Sequence, residues 1–365
     1  MHMKILTVVG ARPQFIKSAM VSRVFKERDG LTEFLVHTGQ HFDENMSEIF
    51  FEQMGMAKPD ANLGISGGSH AEMTSGMLVR LERLIIRVKP QAVLVYGDTN
   101  STLAGALASA KLQCPVAHVE AGLRSYNRKM PEEINRIVTD HLSDLLFAPT
   151  EDSVGSLLRE GIPRSKIVRT GDVMLDASLN FGKISEKSSK ILQNLGLEEK
   201  GYALCTFHRA ENVDHRDNLE WLIDGLNQVS EDMTVVLPMH PRTQQRIDSF
   251  SLMQKLSKKV KVCSPLGYLD ILQLQKHSSI ILTDSGGMQK EAFFHKVPCV
   301  TLRTETEWKE LLTEGHNRLA VPMKDSISEK VSQVRESILD WSFDFYGDGN
   351  SARTIVDALC EKYNN

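Results

Sequence analysis

This sequence predicts an α/β protein of two Rossmann-like domains, each with a parallel sheet, and three observations carry that reading. Short β-branched runs alternate with amphipathic stretches along nearly the whole chain. The alternation stops in a polar stretch at 184–201 and then restarts. A length of 365 residues also exceeds what one ordinary hydrophobic core organises.

In the first half, 5–9, 33–37, Ala92–Tyr96, Val116–Val119, Leu145–Ala148 and Ile167–Arg169 read as buried strands. Runs such as AVLVY at 92–96 show no polar alternation, which is the mark of a strand covered on both faces. Between them, 15–29 and 102–112 carry helical apolar spacing, giving the strand–helix–strand repeat of a parallel sheet. The pattern resumes at Tyr202–Thr206, Thr234–Pro238, 260–262, Ile280–Thr283 and 297–302. ISEKSSKILQNLGLEEKG, at 184–201, is helix-prone and has no strand pattern, so the halves join there. We expect an N-terminal domain over 1–180 and a C-terminal domain over 181–348. A closing helix within 349–365 should pack back on the first. Ligands of such sheets collect at the carboxyl ends of the strands, which predicts a cleft between the two domains.

A net charge of −4 argues against nucleic acid as a partner, since that would need a basic face. Hydrophobic content of 41% and charged content of 25% are those of a globular chain. No apolar run approaches the ~18 residues of a membrane span, and the opening strand is too short for a signal-peptide core. Met1 and His2 read as a cloning remnant ahead of Met3. The five cysteines, Cys114, Cys205, Cys263, Cys299 and Cys360, are scattered without CxxC spacing, which points to a reducing compartment and the cytoplasm.

Candidate chemistry lies where strands end. GARPQFIK, 10–17, follows the first strand; Gly10 permits a tight turn and Pro13 suits a helix start. Arg12 and Lys17 then flank a helix N-terminus, which favours anions. GDTNST, 97–102, presents Asp98, with helix capping as the structural alternative. HVEAGLRS, 118–125, presents Glu120, with an ion pair to Arg124 as the alternative. PEEINR, 131–136, places Glu132 and Glu133 in a helix's first turn. HRAEN follows the first strand of the second half and presents His208. In TDSGGMQKEA, 283–292, Ser285, Gly286 and Gly287 open a helix whose N–H groups can approach a diphosphate closely. Glu291, nearly two turns on, is spaced to accept hydrogen bonds from ribose hydroxyls. No HExxH or related spacing is present, so no metal is expected.

These blocks, with TGQHFD at 38–43 and GDTNSTLAGALA at 97–108, resemble the signature blocks of the non-hydrolysing UDP-sugar 2-epimerases, in order from residue 4 to about 359. The resemblance implies a GT-B fold, with UDP held mainly by the second domain. Some positions depart from the usual N-acetylglucosamine pattern. Ala11 and Gln14 stand in a GTRPE block, Ala210 in an HRRE block, and Trp308 and Lys309 in a TERPE block. The segment from Arg124 to Pro131 looks about two residues short, and Asp43 replaces a glutamine found at an allosteric UDP-GlcNAc site. GARPQFIK, HTGQHFDENMSEIFFEQ and TEW are closer to the subfamily acting on UDP-2,3-diacetamido-2,3-dideoxyglucuronic acid.

What the resemblance implies is inversion of C2 in a UDP-N-acetylhexosamine by anti elimination of UDP and its re-addition, supplying surface polysaccharide precursors such as those of lipopolysaccharide. Carried over position by position, Asp98 and Glu120 are the proton-transfer groups and Glu132 orients the sugar or stabilises a cationic C1. His208 and Arg12 steady the diphosphate, and Ser285–Gly287 completes its cradle. Lys17, Gln40, Arg136 and Arg209 fall in the matched blocks as further substrate contacts. The route needs no hydride step, so no cofactor, NAD included, is expected. The resemblance also implies a homodimer. A uronate substrate would want an extra cation, for which Arg128, Lys129, Lys309 and Arg318 are candidates. A GT-B glycosyltransferase, a hydrolysing 2-epimerase and a non-catalytic UDP-sugar sensor are the competing readings.

Overall fold

Strands without polar alternation need cover on both faces, and this chain provides it in two separate sheets. A computed structural model describes residues 3–40 and 55–363. The chain forms two compact units, Met1–Leu179 with Asp344–Asn365 and, separately, Asn180–Phe343.

The first unit holds β1 (Met3–Val9), β2 (Leu31–His37), β3 (Ala61–Asn62), β4 (Ala92–Tyr96), β5 (Val116–Val119), β6 (Leu145–Ala148) and β7 (Ile167–Arg169). They pair in parallel in the order β3-β2-β1-β4-β5-β6-β7. Every residue of β4 is fully buried, as its unbroken apolar run requires. The register sets Ile5 beside Ala92 and Val93 beside Val116, so β1, β4 and β5 end close to one level. The closing helix Ser351–Tyr363 packs on the helix Arg12–Lys26. Its start is held by Asp176, whose carboxylate accepts the N–H groups of Ser351 at 3.2 Å and Ala352 at 2.7 Å. A carboxylate at that end satisfies two of the N–H groups that a helix leaves unpaired.

The second unit holds β8 (Tyr202–Thr206), β9 (Thr234–Pro238), β10 (Val260–Cys263), β11 (Ile280–Thr283), β12 (Cys299–Thr301) and β13 (Asn317–Leu319). Their order is β10-β9-β8-β11-β12-β13, again parallel. The predicted strands are all present, several with the same bounds. Not foreseen are β3 and β13, whose two and three residues are too short for a periodic signal. The helix His70–Val88 is also additional; Ser69 and Glu72 cap it reciprocally.

Gly10 corrects a sequence expectation. It is absent from the glycines of positive φ, so no left-handed turn explains it. A Cβ there would lie 2.1 Å from both Ser101 Oγ and Thr38 Oγ1, so close approach of three loops is what excludes a side chain. Gly122 combines both constraints, with φ +84° and an imagined Cβ 2.4 Å from the carbonyl oxygen of Ser153. Substituting Gly122→Ala should cost about 2–4 kcal/mol, from left-handed strain plus a forced backbone shift. Denaturant unfolding checks this, and a loss below half a kcal/mol, on the order of an ordinary surface change, would contradict it.

Candidate active site

Each sheet reverses its strand order once, between β1 and β4 in the first unit and between β8 and β11 in the second. At such a point the two following loops diverge and leave a crevice at the carboxyl ends of the strands. The sequence-predicted residues gather at these places within each unit.

In the first unit, Gln14 joins the two loops. Its Oε1 accepts the N–H groups of Gly10 at 2.8 Å and Ala11 at 3.0 Å. Its Nε2 donates to the Tyr96 carbonyl at 2.6 Å and to Thr102 Oγ1 at 2.9 Å. Thr99, not Asp98, caps the helix Asn100–Lys111, accepting the Thr102 N–H. Asp98 is thus released from capping, and its Oδ2 instead meets Arg136 at 2.6 Å. Arg136 is buried and its other arm binds Glu133 at 2.9 Å. Glu120 pairs with the buried Lys17 and not with Arg124, which corrects the structural alternative for that carboxylate. Arg124 is taken by Asp140 and Glu160, each at 2.7 Å. Glu120 has φ +73°, a left-handed conformation that costs a non-glycine residue about 1–3 kcal/mol and concentrates at functional sites. Its Oε2 lies 3.2 Å from where a Cβ on Gly97 would stand, so the carboxylate rests against the turn that carries Asp98.

The two glutamates of PEEINR separate cleanly. Glu133 is fully buried and accepts the N–H groups of Ser125 and Tyr126, each at 2.9 Å, bracing the loop ahead of its own helix. Burial pushes its acidity toward the neutral form, but those N–H groups and Arg136 win and hold its pKa below the ordinary value. Glu132, beside it in the first turn, is exposed. Gln40 accepts from Ser101 Oγ at 2.7 Å and from the Ser101 N–H at 3.0 Å, which ties it to the same helix start. Arg12 is exposed at the first position of its helix.

In the second unit the hub is Asp284, which is fully buried. It accepts the N–H groups of His208 at 3.0 Å and Arg209 at 2.9 Å, and the Asn212 amide at 2.9 Å. His208 Nδ1 lies 3.5 Å from Asp284, and its ring stacks on His240 at 5.1 Å. The helix Gly286–Phe294 begins at Ser285, which supplies no side-chain cap. A Cβ on Gly287 would meet nothing within 4 Å. Packing therefore does not require glycine there, and the bare N-terminus is left open to an anion. Glu291 is buried and accepts from Tyr268 Oη at 2.9 Å and Gln275 Nε2 at 2.7 Å. Each carboxylate oxygen has a second lone pair, so these bonds do not use up its accepting capacity. Among the described residues, no group of three or more His, Cys, Asp and Glu side chains is placed to hold a metal ion. No helix of the described residues is long and apolar enough to cross a membrane.

The structure thus brings Lys17, Gln40, Asp98, Glu120 and Arg136 to one crevice, and His208, Arg209 and the 285–287 turn to another. Asp43 and the segment 41–54 lie outside the described residues. Sequence reasoning named Gln14 and Glu133 without giving them a role, and did not single out His118, Asp140 or His240. Gln14 and His118 stood inside quoted motifs, but nothing in their spacing marks which loop they bind.

Two Rossmann-like units, one with cation-held carboxylates and one with an open glycine turn, define a nucleotide-sugar enzyme of the GT-B class. Residues 23–360 match the family described as UDP-N-acetylglucosamine 2-epimerase. The chain is 49% identical, over 98% of its length and 100% of the other's, to UDP-2,3-diacetamido-2,3-dideoxy-D-glucuronate 2-epimerase of Pseudomonas aeruginosa. It is 48% identical, over 98% and 99%, to a UDP-N-acetylglucosamine 2-epimerase homolog of Methanococcus maripaludis. The crystal structure of Methanocaldococcus jannaschii UDP-GlcNAc 2-epimerase in complex with UDP-GlcNAc and UDP superposes with a TM-score of 0.91 at 42% identity, covering 99% of this chain and 100% of that one. This chain belongs to the UDP-N-acetylglucosamine 2-epimerase family, and its class is that of an isomerase.

Asp140 governs the stability of the first crevice. Burial raises its pKa, and His118 and then Arg124 more than reverse that, leaving it below the ordinary 3.8. A carboxylate depressed on folding adds stability that is complete above its unfolded pKa and is lost as pH falls through the folded one. Replacing Asp140→Asn leaves Arg124 and His118 facing each other and should cost about 3–5 kcal/mol at neutral pH. Urea unfolding at stepped pH should show that deficit shrinking below about pH 3.8. A deficit that stays constant into strong acid would refute the assignment.

Proposed function

We propose that this chain interconverts a UDP-N-acetylhexosamine and its C2 epimer, of the UDP-GlcNAc/UDP-ManNAc type, by eliminating and re-adding UDP. The observation carrying this is the pair Asp98 and Glu120, set against a single turn but each held by its own cation. Two carboxylates with separate partners, Arg136 and Lys17, can act as two separate proton-transfer groups.

Removing the C2 proton directly is difficult because no adjacent carbonyl stabilises the carbanion. Loss of UDP from C1 supplies the driving force. One carboxylate takes the C2 proton, the C–H pair forms the C1=C2 bond, and the C1–O bond breaks toward the diphosphate. UDP and a 2-acetamidoglucal result. A carboxylic acid on the opposite face then returns a proton to C2 while the diphosphate oxygen re-forms its bond to C1. No electrons enter or leave. General acid/base help of this kind contributes ~10²–10⁴-fold. Glu132, solvent-facing on the same unit, orients the sugar or stabilises positive charge at C1. In the second unit His208, the Ser285 hydroxyl and the N–H groups of Gly286 and Gly287 hold the diphosphate, the Ser285 N–H being taken by Thr283 Oγ1 at 3.0 Å; Arg12 of the first adds charge, and Glu291 takes the ribose. Arg209 completes the nucleotide contacts and Gln40 the sugar contacts.

A second reading names UDP-2,3-diacetamido-2,3-dideoxyglucuronate as substrate. It is favoured by the 49% identity to the Pseudomonas enzyme, although 48% to a differently named relative shows that identity alone does not decide. Arg128 and Lys129 are exposed on the loop that Glu133 braces, shortly before Glu132, and are candidate cations for a C6 carboxylate. We further propose a cytoplasmic homodimer supplying surface polysaccharide precursors.

Incubation with each UDP-sugar in D₂O, followed by NMR, tests the reaction. Deuterium should enter C2 of the recovered nucleotide sugar, and the substrate that exchanges identifies the specificity. No exchange in either would defeat the proposal; free sugar and UDP as products would move it to a hydrolysing enzyme. The variants Glu120→Gln and Asp98→Asn should each lower kcat by about 10²–10⁴. Gly287→Ala should weaken UDP binding by at least tenfold while shifting stability by less than about 0.5 kcal/mol. Unchanged UDP affinity in calorimetry would remove the cradle from the turn.

A further inference from the structure

One buried group near the site has no part in the chemistry above. His118, on β5, is completely buried, and both of its ring nitrogens are engaged. Nε2 lies 2.7 Å from the Gly97 carbonyl oxygen, and Nδ1 lies 2.7 Å from Asp140 Oδ1. A carbonyl oxygen only accepts, so Nε2 must carry a proton. A carboxylate also only accepts, so Nδ1 must carry one too. A neutral imidazole has a single N–H and cannot serve both contacts.

The alternative is a protonated Asp140 donating to a neutral ring. The rest of the cluster opposes it. Asp140 Oδ2 faces Arg124, which is always charged, at 2.7 Å, and also accepts the Gly122 N–H at 3.1 Å. A carboxylate between a guanidinium and a ring N–H is favoured in its ionised form. Arg124 in turn contacts Glu160, which His141 approaches from the surface at 3.3 Å. With His118 charged, the series from buried His118, Asp140 and Arg124 to the half-buried Glu160 alternates in sign and sums to zero. With it neutral, the series carries a net negative charge beside Glu120, whose own partner is Lys17.

The ring also has a consequence for the site. Gly97 is enclosed by three successive residues of one strand end. Its N–H donates to the Val119 carbonyl at 3.0 Å, its own carbonyl receives His118, and its Cα lies under the Glu120 carboxylate. The next residue is Asp98. We propose that His118 is carried as a doubly protonated imidazolium and is a positioning residue that, through the Gly97 carbonyl, fixes where Asp98 and Glu120 point. This rests on the reading above that those two carboxylates move the protons.

Long-range ¹H–¹⁵N spectra of the ¹⁵N-labelled full chain at neutral pH test the charge, with the His118 signals identified by their loss in His118→Gln. Both ring nitrogens should bear hydrogen; a single N–H overturns the proposal whatever the activity. Kinetics test the positioning. Glutamine can place its amide near the Nε2 position and keep the bond to Gly97, whereas asparagine can reach only the Nδ1 position and Asp140. His118→Gln should therefore retain kcat within about tenfold, and His118→Asn should lose about 100-fold, the penalty for misplaced catalytic groups. KM should move little in either. Equal losses that simply follow each variant's melting temperature would overturn the positioning role. If the native chain shows no C2 exchange with either UDP-sugar, the activity reading fails, and the ring spectrum still decides the charge.

Discussion

The first unit is organised around the turn at Gly97, whose φ of +63° is one that side-chain-bearing residues rarely adopt. Gly97 is fixed by its N–H, its carbonyl and its Cα, all through residues 118–120 of the neighbouring strand. To place its carboxylate there, Glu120 adopts a left-handed backbone that no ordinary packing requirement demands. The strain, of order 1–3 kcal/mol, persists only where surrounding contacts over-determine the conformation. Those contacts are charged and buried. Withdrawing such groups from water costs several kcal/mol each, and only alternation of sign with complete hydrogen bonding offsets it. The imidazolium of His118 is what makes the alternation complete. Local strain, buried charge and carboxylate direction are therefore one problem with one solution.

The second unit solves the opposite problem. Its hub, Asp284, spends its acceptors on the backbone N–H groups of His208 and Arg209, so that loop is shaped by a carboxylate facing inward. The helix after Ser285 is left without a side-chain cap or a close neighbour at Gly287. Unpaired N–H groups at a helix start are unfavourable unless water or an anion meets them. The first unit thus presents charge already paired, and the second presents a helix start whose side-chain cap is missing.

Much of this was legible in the sequence, and the boundary has a physical cause. Doubly buried strands such as 92–96 announce themselves because no polar residue interrupts them. Asp98 and Glu120 stood out because a carboxylate directly after such a strand has no packing purpose. Their partners were not legible. Arg124 is four residues from Glu120, yet the chain turns at Gly122 and sends it to Asp140, while Lys17 arrives from a helix more than 100 residues earlier. Likewise the helix start at Pro131 was readable, but which glutamate faces inward depends on where Ser125 and Tyr126 present their N–H groups. Gly10 was identified correctly as special and for the wrong reason, because close approach between loops leaves no trace in local spacing.

Two of the positions where the chain departs from the N-acetylglucosamine pattern, Gln14 and Trp308, brace the site. Gln14 accepts from two N–H groups and donates to a carbonyl and a hydroxyl. An ionised glutamate could accept as well but could not donate to the Tyr96 carbonyl. The amide therefore welds the loop after β1 to the loop after β4, where the acid would leave a buried carbonyl facing a carboxylate. At the second unit, Thr306 bonds Gln289 at 2.6 Å and Trp308 lies under the buried Lys290 ammonium at 4.1 Å, so both brace the helix behind the glycine turn. Changes at such positions alter how firmly the loop after β4 and the start of the helix Gly286–Phe294 are held.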